Sequence, residues 1–133
     1  FSVPGERALH VAASSGNFEI VRLLLQRSRA ADPNAPDNQG STPLVRTCAC
    51  QHVCVEVVRL LLETGADPAL AEKGGNIPLH LVALKGHIDL VDMLYTSAPA
   101  TLNHCTANGI TPLYEACSQG HQRMVCRLLS LGA

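Results

Sequence analysis

The chain reads as an all-α solenoid of stacked helix-turn-helix units, and three observations predict it. A phrase built on one leucine returns four times, at residues 6–13, 41–44, 76–83 and 110–117, and its anchors Leu9, Leu44, Leu79 and Leu113 stand 35, 35 and 34 residues apart. A second phrase follows each anchor: a turn and then an aliphatic run, at residues 16–25, 55–62, 86–95 and 120–129. The composition is thin in large side chains, with 3% aromatic residues and no Trp within an apolar content of 47%. Self-similarity at a period of about 20–50 residues means one supersecondary unit copied and stacked. Small aliphatic side chains suit thin helices packed in layers.

Each unit can be justified in order. Thr42 and Thr111 each precede a proline. That is a hydroxyl N-cap ahead of a residue whose missing N–H costs nothing at the first helical position, so Thr-Pro starts the inner helix. Gly16, Gly86 and Gly120 then supply a residue that tolerates positive φ and reverses the chain into the outer helix. After the outer helix, Asp32-Pro33-Asn34, Gly65-Ala66-Asp67-Pro68 and the glycines Gly40, Gly75 and Gly109 are turn chemistry. Helices this short are marginal alone and gain stability by burying an apolar face, here unit against unit. The units are expected at about 2–35, 36–70, 71–104 and 105–133, forming one domain over 1–133.

Departures from the repeat carry information. Arg7-Ala8 stands in place of Thr-Pro in the first unit, so its hydroxyl cap is lost and that end is the one expected to fray. In the second unit the leucine run starts 16 residues after Leu44 instead of 14, an insertion of two that falls in residues 50–54 and replaces the Gly turn. Ile77 replaces the capping Thr in the third, and residues 97–103 abandon the Gly-Ala-Asp pattern, which leaves the finger that follows without a sequence template.

The phrase T-P-L-H-x-A at a period near 33 resembles the ankyrin repeat, and the resemblance covers essentially the whole chain. It implies β-turn fingers projecting beside the inner helices, and a partner seated in the concave groove between fingertips and inner helices. Carried over position by position, the groove residues before the phrase are Pro4 and Glu6, then Asn38, Gln39 and Ser41, then Lys73, Gly74 and Asn76, then Asn108 and Ile110. On the inner helices they are Ser14 and Ser15, Ala49 and Cys50, Leu84 and Lys85, and Ser118 and Gln119. Leu84 and Ile110, apolar where solvent is expected, flank Tyr114 as a candidate interface centre with a polar rim. Arg46 is a second candidate anchor, able to meet a carboxylate of the partner or to pair with Asp37 or Glu72.

Other function classes are poorly served. Ten Lys or Arg against eleven Asp or Glu give a formal charge of −1, with six of each sign in the first 66 residues, so there is no basic cluster to track phosphates. No run approaches the roughly 20 apolar residues of a membrane span. Cys48, Cys50, His52 and Cys54 fall within seven residues and are zinc-ligand types. Their single-residue spacing differs from a zinc knuckle, however, and Cys48 and Cys117 share the small buried position of the inner helix, where a free thiol acts as a small hydrophobe. Six cysteines without a regular framework point to a reducing, intracellular compartment, cytoplasmic or nuclear. His10 and His80 belong to the T-P-L-H phrase and His87 and His121 follow the turn glycine, a structural use in which ring nitrogens tie neighbouring loops.

No nucleophile elbow, phosphate loop or paired-carboxylate motif occurs, so no catalysis and no cofactor are expected. The expectation is therefore a non-catalytic module for a protein or peptide partner. The irregular, cysteine-bearing units look like the SOCS-box ankyrin proteins, which implies the substrate-recognition arm of a ubiquitin ligase, although no SOCS box lies in these residues. A metal- or redox-sensing module centred on the Cys/His cluster is the alternative. The last outer helix lacks a polar outer face, so further repeats or another domain are expected to cover it.

Overall fold

The computed structural model describes residues 4–27 and 32–133, with side chains from Ala8 onward. Among the described residues there are eight α-helices and no strand. They run α1 (Pro4–Ser14), α2 (Phe18–Arg27), α3 (Pro43–Cys48), α4 (Val55–Glu63), α5 (Pro78–Lys85), α6 (Ile88–Ser97), α7 (Pro112–Ser118) and α8 (Gln122–Ser130). Odd-numbered helices form an inner row and even-numbered ones an outer row, each pair packing on the next.

Local chemistry explains the boundaries. Thr42 and Thr111 cap α3 and α7, their hydroxyl oxygens accepting the N–H of Val45 and Tyr114, each at 3.2 Å. Ile77 has no such oxygen, and the arrangement is inverted: its own N–H donates to Nδ1 of His80 at 3.3 Å. Gly16, Gly86 and Gly120 adopt φ of 75°, 77° and 71° between the paired helices, as the turn reading requires. The second unit, lacking that glycine, spends residues 49–54 on a longer loop, and α3 ends at Cys48, two positions earlier than its counterpart α5.

Two local expectations change. Pro4 and Glu6, assigned to a fingertip, fall inside α1, which begins a turn earlier than the other inner helices. Their side chains, and that of Arg7 where the cap is lost, lie outside the described residues. Residues 97–103 form no irregular finger: the chain closes α6 at Ala98 and makes a short 3₁₀ turn over Pro99–Thr101. The Thr101 hydroxyl donates to the Ala98 carbonyl at 2.7 Å, which buries Leu102 and delivers the following finger in register.

The core is one continuous apolar cluster threading all four helix pairs, from Leu9 and Val21 through Leu44, Leu61, Leu79 and Leu94 to Met124 and Leu128. Burying a side chain of this kind is worth about 1.5–3 kcal/mol, enough for short helices to persist as a stack. Cys48 is fully buried at the small position of α3, but Cys117, its counterpart on α7, is exposed. The difference is positional, because α5 covers α3 and no described helix covers α7 on that side.

Candidate partner-binding face

Three fingers share one closure. Residues 37–41, 72–76 and 106–110 each pair their end residues, with the N–H of Asp37, Glu72 and Thr106 donating to the carbonyl of Ser41, Asn76 and Ile110 at 2.9–3.0 Å. The side chain of the first residue fixes the loop from inside. Asp37 Oδ1 accepts the N–H of Gln39 and Ser41 at 2.8 and 2.9 Å. Glu72 Oε1 takes those of Gly74 and Asn76, and Thr106 Oγ1 takes those of Asn108 and Ile110. Neighbouring tips join through Lys73 N–H to the Gln39 carbonyl at 3.0 Å and Ala107 N–H to the Gly74 carbonyl at 3.4 Å.

Beside the first of these fingers a cavity of about 240 Å³ opens between α1, α3 and the fingertip, lined by His10, Val11, Asp37, Asn38, Gln39 and Arg46. Arg46 Nη1 donates to Asp37 Oδ2 at 2.8 Å, so of the two intramolecular partners considered for it the structure selects Asp37. The guanidinium stays partly exposed. Burial resists ionisation of Asp37, but the bond from Arg46, the two backbone N–H groups and the nearby His10 imidazole outweigh it and hold the carboxyl below its ordinary value. Val11, 61% exposed, lies at the x position of the L-H-x-A phrase, one unit before Arg46. Sequence reasoning passed over Val11; the signal was present in its equivalence to Arg46.

The remaining candidates are distributed along the same face. Gln39, Lys73, Asn108, Ser118 and Gln119 are exposed, whereas Asn76 and Lys85 are half-buried. Ser41 is buried, with its N–H on Asp37 and its carbonyl 2.8 Å from His10 Nε2, so its role in the structure is to position the finger. Leu84 and Ile110 are half-buried and Tyr114 is 59% exposed. Ile110 closes the finger ahead of α7, its carbonyl 2.8 Å from Nε2 of His80 in the first turn of α5, while Leu84 is at the end of α5, its carbonyl 2.9 Å from His121 Nε2. His80 and Leu84 are about one helical turn apart on α5.

Three of the four histidines expected to tie neighbouring loops do so: His10, His80 and His121 reach Ser41, Ile110 and Leu84 in the adjacent unit. His87 does not; its Nε2 is buried without a hydrogen-bond partner. By repeat position its target is the carbonyl of Ala49, where α3 has already ended and the two-residue insertion begins. Of the two histidines without a repeat position, His104 packs edge-on against His80 with ring centroids 5.9 Å apart, and His52 is exposed in the insertion.

The four metal-ligand candidates are not gathered. Cys48 is in the core, its thiol pushed up to about 12 by burial and by Cys50. The Cys50 thiol is 3.3 Å from the carbonyls of Ser14 and Arg46. Among the described residues no group of three or more His, Cys, Asp or Glu is placed to hold a metal ion, and no helix is long and apolar enough to cross a membrane.

Comparisons with known proteins agree with the architecture. The family description "Ankyrin repeats (3 copies)" matches residues 2–72 and 68–133. Similar proteins include the probable 26S proteasome regulatory subunit p28 of Saccharomyces cerevisiae, 34% identical over 122 residues covering 88% of this chain and 50% of that protein. The tyrosine-protein kinase HTK16 of Hydra vulgaris is 33% identical over 84% of this chain and 14% of its own length. The nuclear factor NF-kappa-B p105 subunit of Gallus gallus is 27% identical over 97% of this chain and 13% of its own length. The chain thus spans half or less of the length of these relatives. It belongs to the ankyrin-repeat family.

Proposed function

We propose that the chain is a non-catalytic interaction module that seats a protein or peptide segment along the face made by the fingertips and the inner helices. The observation that carries this reading is the cavity between the first described finger and α1/α3, where exposed Val11 supplies an apolar contact beside the partly exposed Arg46 guanidinium. Lys73 and Lys85 extend the same face with positive charge. The complementary ligand is an extended segment with an apolar side chain for Val11 and a carboxylate close by for Arg46. Contacts of this kind concentrate energy in a few desolvated anchors within a polar rim. The similarity to a proteasome regulatory subunit supports placing that partner in ubiquitin–proteasome biology, inside the cell, as does the resemblance to substrate-receptor ankyrin proteins.

The test is a comparative capture from cell lysate with the wild-type chain, Val11→Asp/Arg46→Glu, and Leu84→Glu/Ile110→Glu, after circular dichroism shows all three folded. Partners lost only with the first pair support the anchor assigned to the cavity; loss only with the second pair moves the site to the third and fourth units. An unchanged partner set for both discards the concave face.

A further inference from the structure

The polar ties between adjacent helix pairs are unevenly distributed. Between the first and second pairs, His10 reaches the Ser41 carbonyl, and Asn34 both donates to the Gly65 carbonyl at 3.0 Å and accepts the Asp67 N–H at 2.7 Å. Between the third and fourth, His80 and His121 bridge to Ile110 and Leu84, and Arg127 Nε and Nη2 both bond to Asp92 Oδ1 at 2.9 and 2.6 Å.

At the junction of the second and third pairs these devices are either replaced or, in one case, present and unpaired. Val45 stands where His10 and His80 stand, Ala69 where Asn34 stands, and Met93 where Arg127 stands. His87, the counterpart of His121, has its Nε2 buried and unpaired. Arg59 turns instead to Glu56 on its own helix.

Among the described residues, what holds this junction is the shared apolar core and one edge. The Gln39 carbonyl accepts the Lys73 N–H at 3.0 Å, and the two fingers approach so closely that a Cβ at Gly40 would lie 3.3 Å from the Lys73 nitrogen. On the opposite edge α4 and α6 are in contact, and a surface cleft of about 400 Å³ lined by Arg59, Leu62, Glu63, Met93 and Thr96 among others opens beside them. Apolar burial is non-directional, so it resists separation of the two layers more than a change in their angle. A junction whose directional bond lies at the fingers, with only apolar packing elsewhere, is a hinge.

We propose that the array works as two two-unit blocks, α1–α4 and α5–α8, hinged at the fingers between Gln39 and Lys73 and flexing through the cleft beside α4 and α6. In a chain whose stability is a sum of unit and interface contributions, this interface divides cooperativity as well as shape. A partner lying along both blocks fixes the hinge angle, and a partner on one block leaves it free.

The test is amide hydrogen exchange on the whole chain. Leu9→Ala is expected to accelerate exchange in α3 and α4 on the order of a hundredfold, the factor that follows from truncating a buried leucine, while α5–α8 amides change by no more than about twofold. Leu128→Ala is expected to show the converse. Should Leu9→Ala unfold the first block altogether, continued protection of α5–α8 still supports the hinge. Chain-wide acceleration or unfolding in either variant overturns it. Val45→His, which offers the Asn76 carbonyl the tie made at the other two junctions, is expected to spread the effect of Leu9→Ala into α5–α8; confinement unchanged in that background would refute the assignment of the hinge to the missing ties.

Discussion

His80 holds two units together with one ring, and replacing it with valine, the residue the second unit carries at that position, measures what the ring contributes. Nδ1 accepts the Ile77 N–H at 3.3 Å, which makes the proton-bearing nitrogen Nε2, and this donates to the Ile110 carbonyl at 2.8 Å. Valine leaves both groups without that partner. The Ile77 N–H is buried and bears a desolvation penalty of about 1–3 kcal/mol. The Ile110 carbonyl keeps the Thr106 N–H at 2.9 Å and is half-buried, so its share of the loss is the smaller one. A total near 3 kcal/mol follows, which at a urea slope of about 2 kcal/mol/M lowers the unfolding midpoint by about 1.5 M.

The pH dependence supplies an independent check on the same ring. Burial is the main cause that depresses its pKa, with His104 adding to it and the hydrogen bond to Ile110 opposing. The folded state therefore binds protons less readily than the unfolded chain. Stability from the neutral ring is complete above the unfolded value of about 6.5 and declines as pH falls from there through the lower folded pKa. Urea midpoints of wild type and His80→Val measured at pH 7.5 and 5 should thus converge at the acidic end. A midpoint shift under about 0.3 M at pH 7.5, or a gap that widens on acidification, would refute the assigned tautomer and its two bonds.

Further expectations follow from single positions. Asp37→Ala removes the acceptor for two finger N–H groups and the partner of Arg46, and should cost about 1–2 kcal/mol in chemical denaturation. Because the folded pKa of Asp37 is lowered, its stabilisation in wild type is present above about pH 4 and lost as pH falls through the folded value. Gly75→Ala should cost more than Gly109→Ala: both sit at positive φ, but a Cβ at Gly75 would lie 2.8 Å from the Ala107 nitrogen while none is crowded at Gly109. We expect roughly 1 kcal/mol at Gly109 and at least about twice that at Gly75, read from thermal midpoints. In a thiol titration of the native protein, Cys105, Cys117 and Cys126 should react promptly, and Cys48 only on unfolding; prompt modification of Cys48 would contradict its place in the core.

The repeat was legible because its signals are local and redundant. Thr-Pro starts, glycine turns and the spacing of the leucines each announce the same unit, and although only the fourth unit carries all three, every unit keeps enough of them to align. The site was less legible because exposure depends on what stacks above a residue. Cys48 and Cys117 are the same letter at the same repeat position, yet one is core and one is surface. Ser41 and Gln39 lie two residues apart on one finger, yet the first is consumed by His10 and Asp37 while the second faces outward. Val11 is marked only by its equivalence to Arg46, since an isolated valine in a helix carries no mark of exposure of its own. The orphaned His87 was hidden for a different reason: its repeat position is regular, and the irregularity lies a whole unit away in the insertion after Ala49.

The fingers close by a common backbone pattern although their closing side chains are an aspartate, a glutamate and a threonine. Only an oxygen within reach of two N–H groups is required, and it is supplied from the base of the loop. Conformation at the tip is therefore insulated from the identity of most tip residues, Asn38 and Gln39 in one finger, Lys73 in the next, Ala107 and Asn108 in the last; Gly74 is the exception, since a Cβ there would lie 2.7 Å from the closing oxygen of Glu72. Such a scaffold can exchange its recognition vocabulary one letter at a time while the grammar of the loop stays unchanged, so that new partners can be acquired without refolding the surface that reads them.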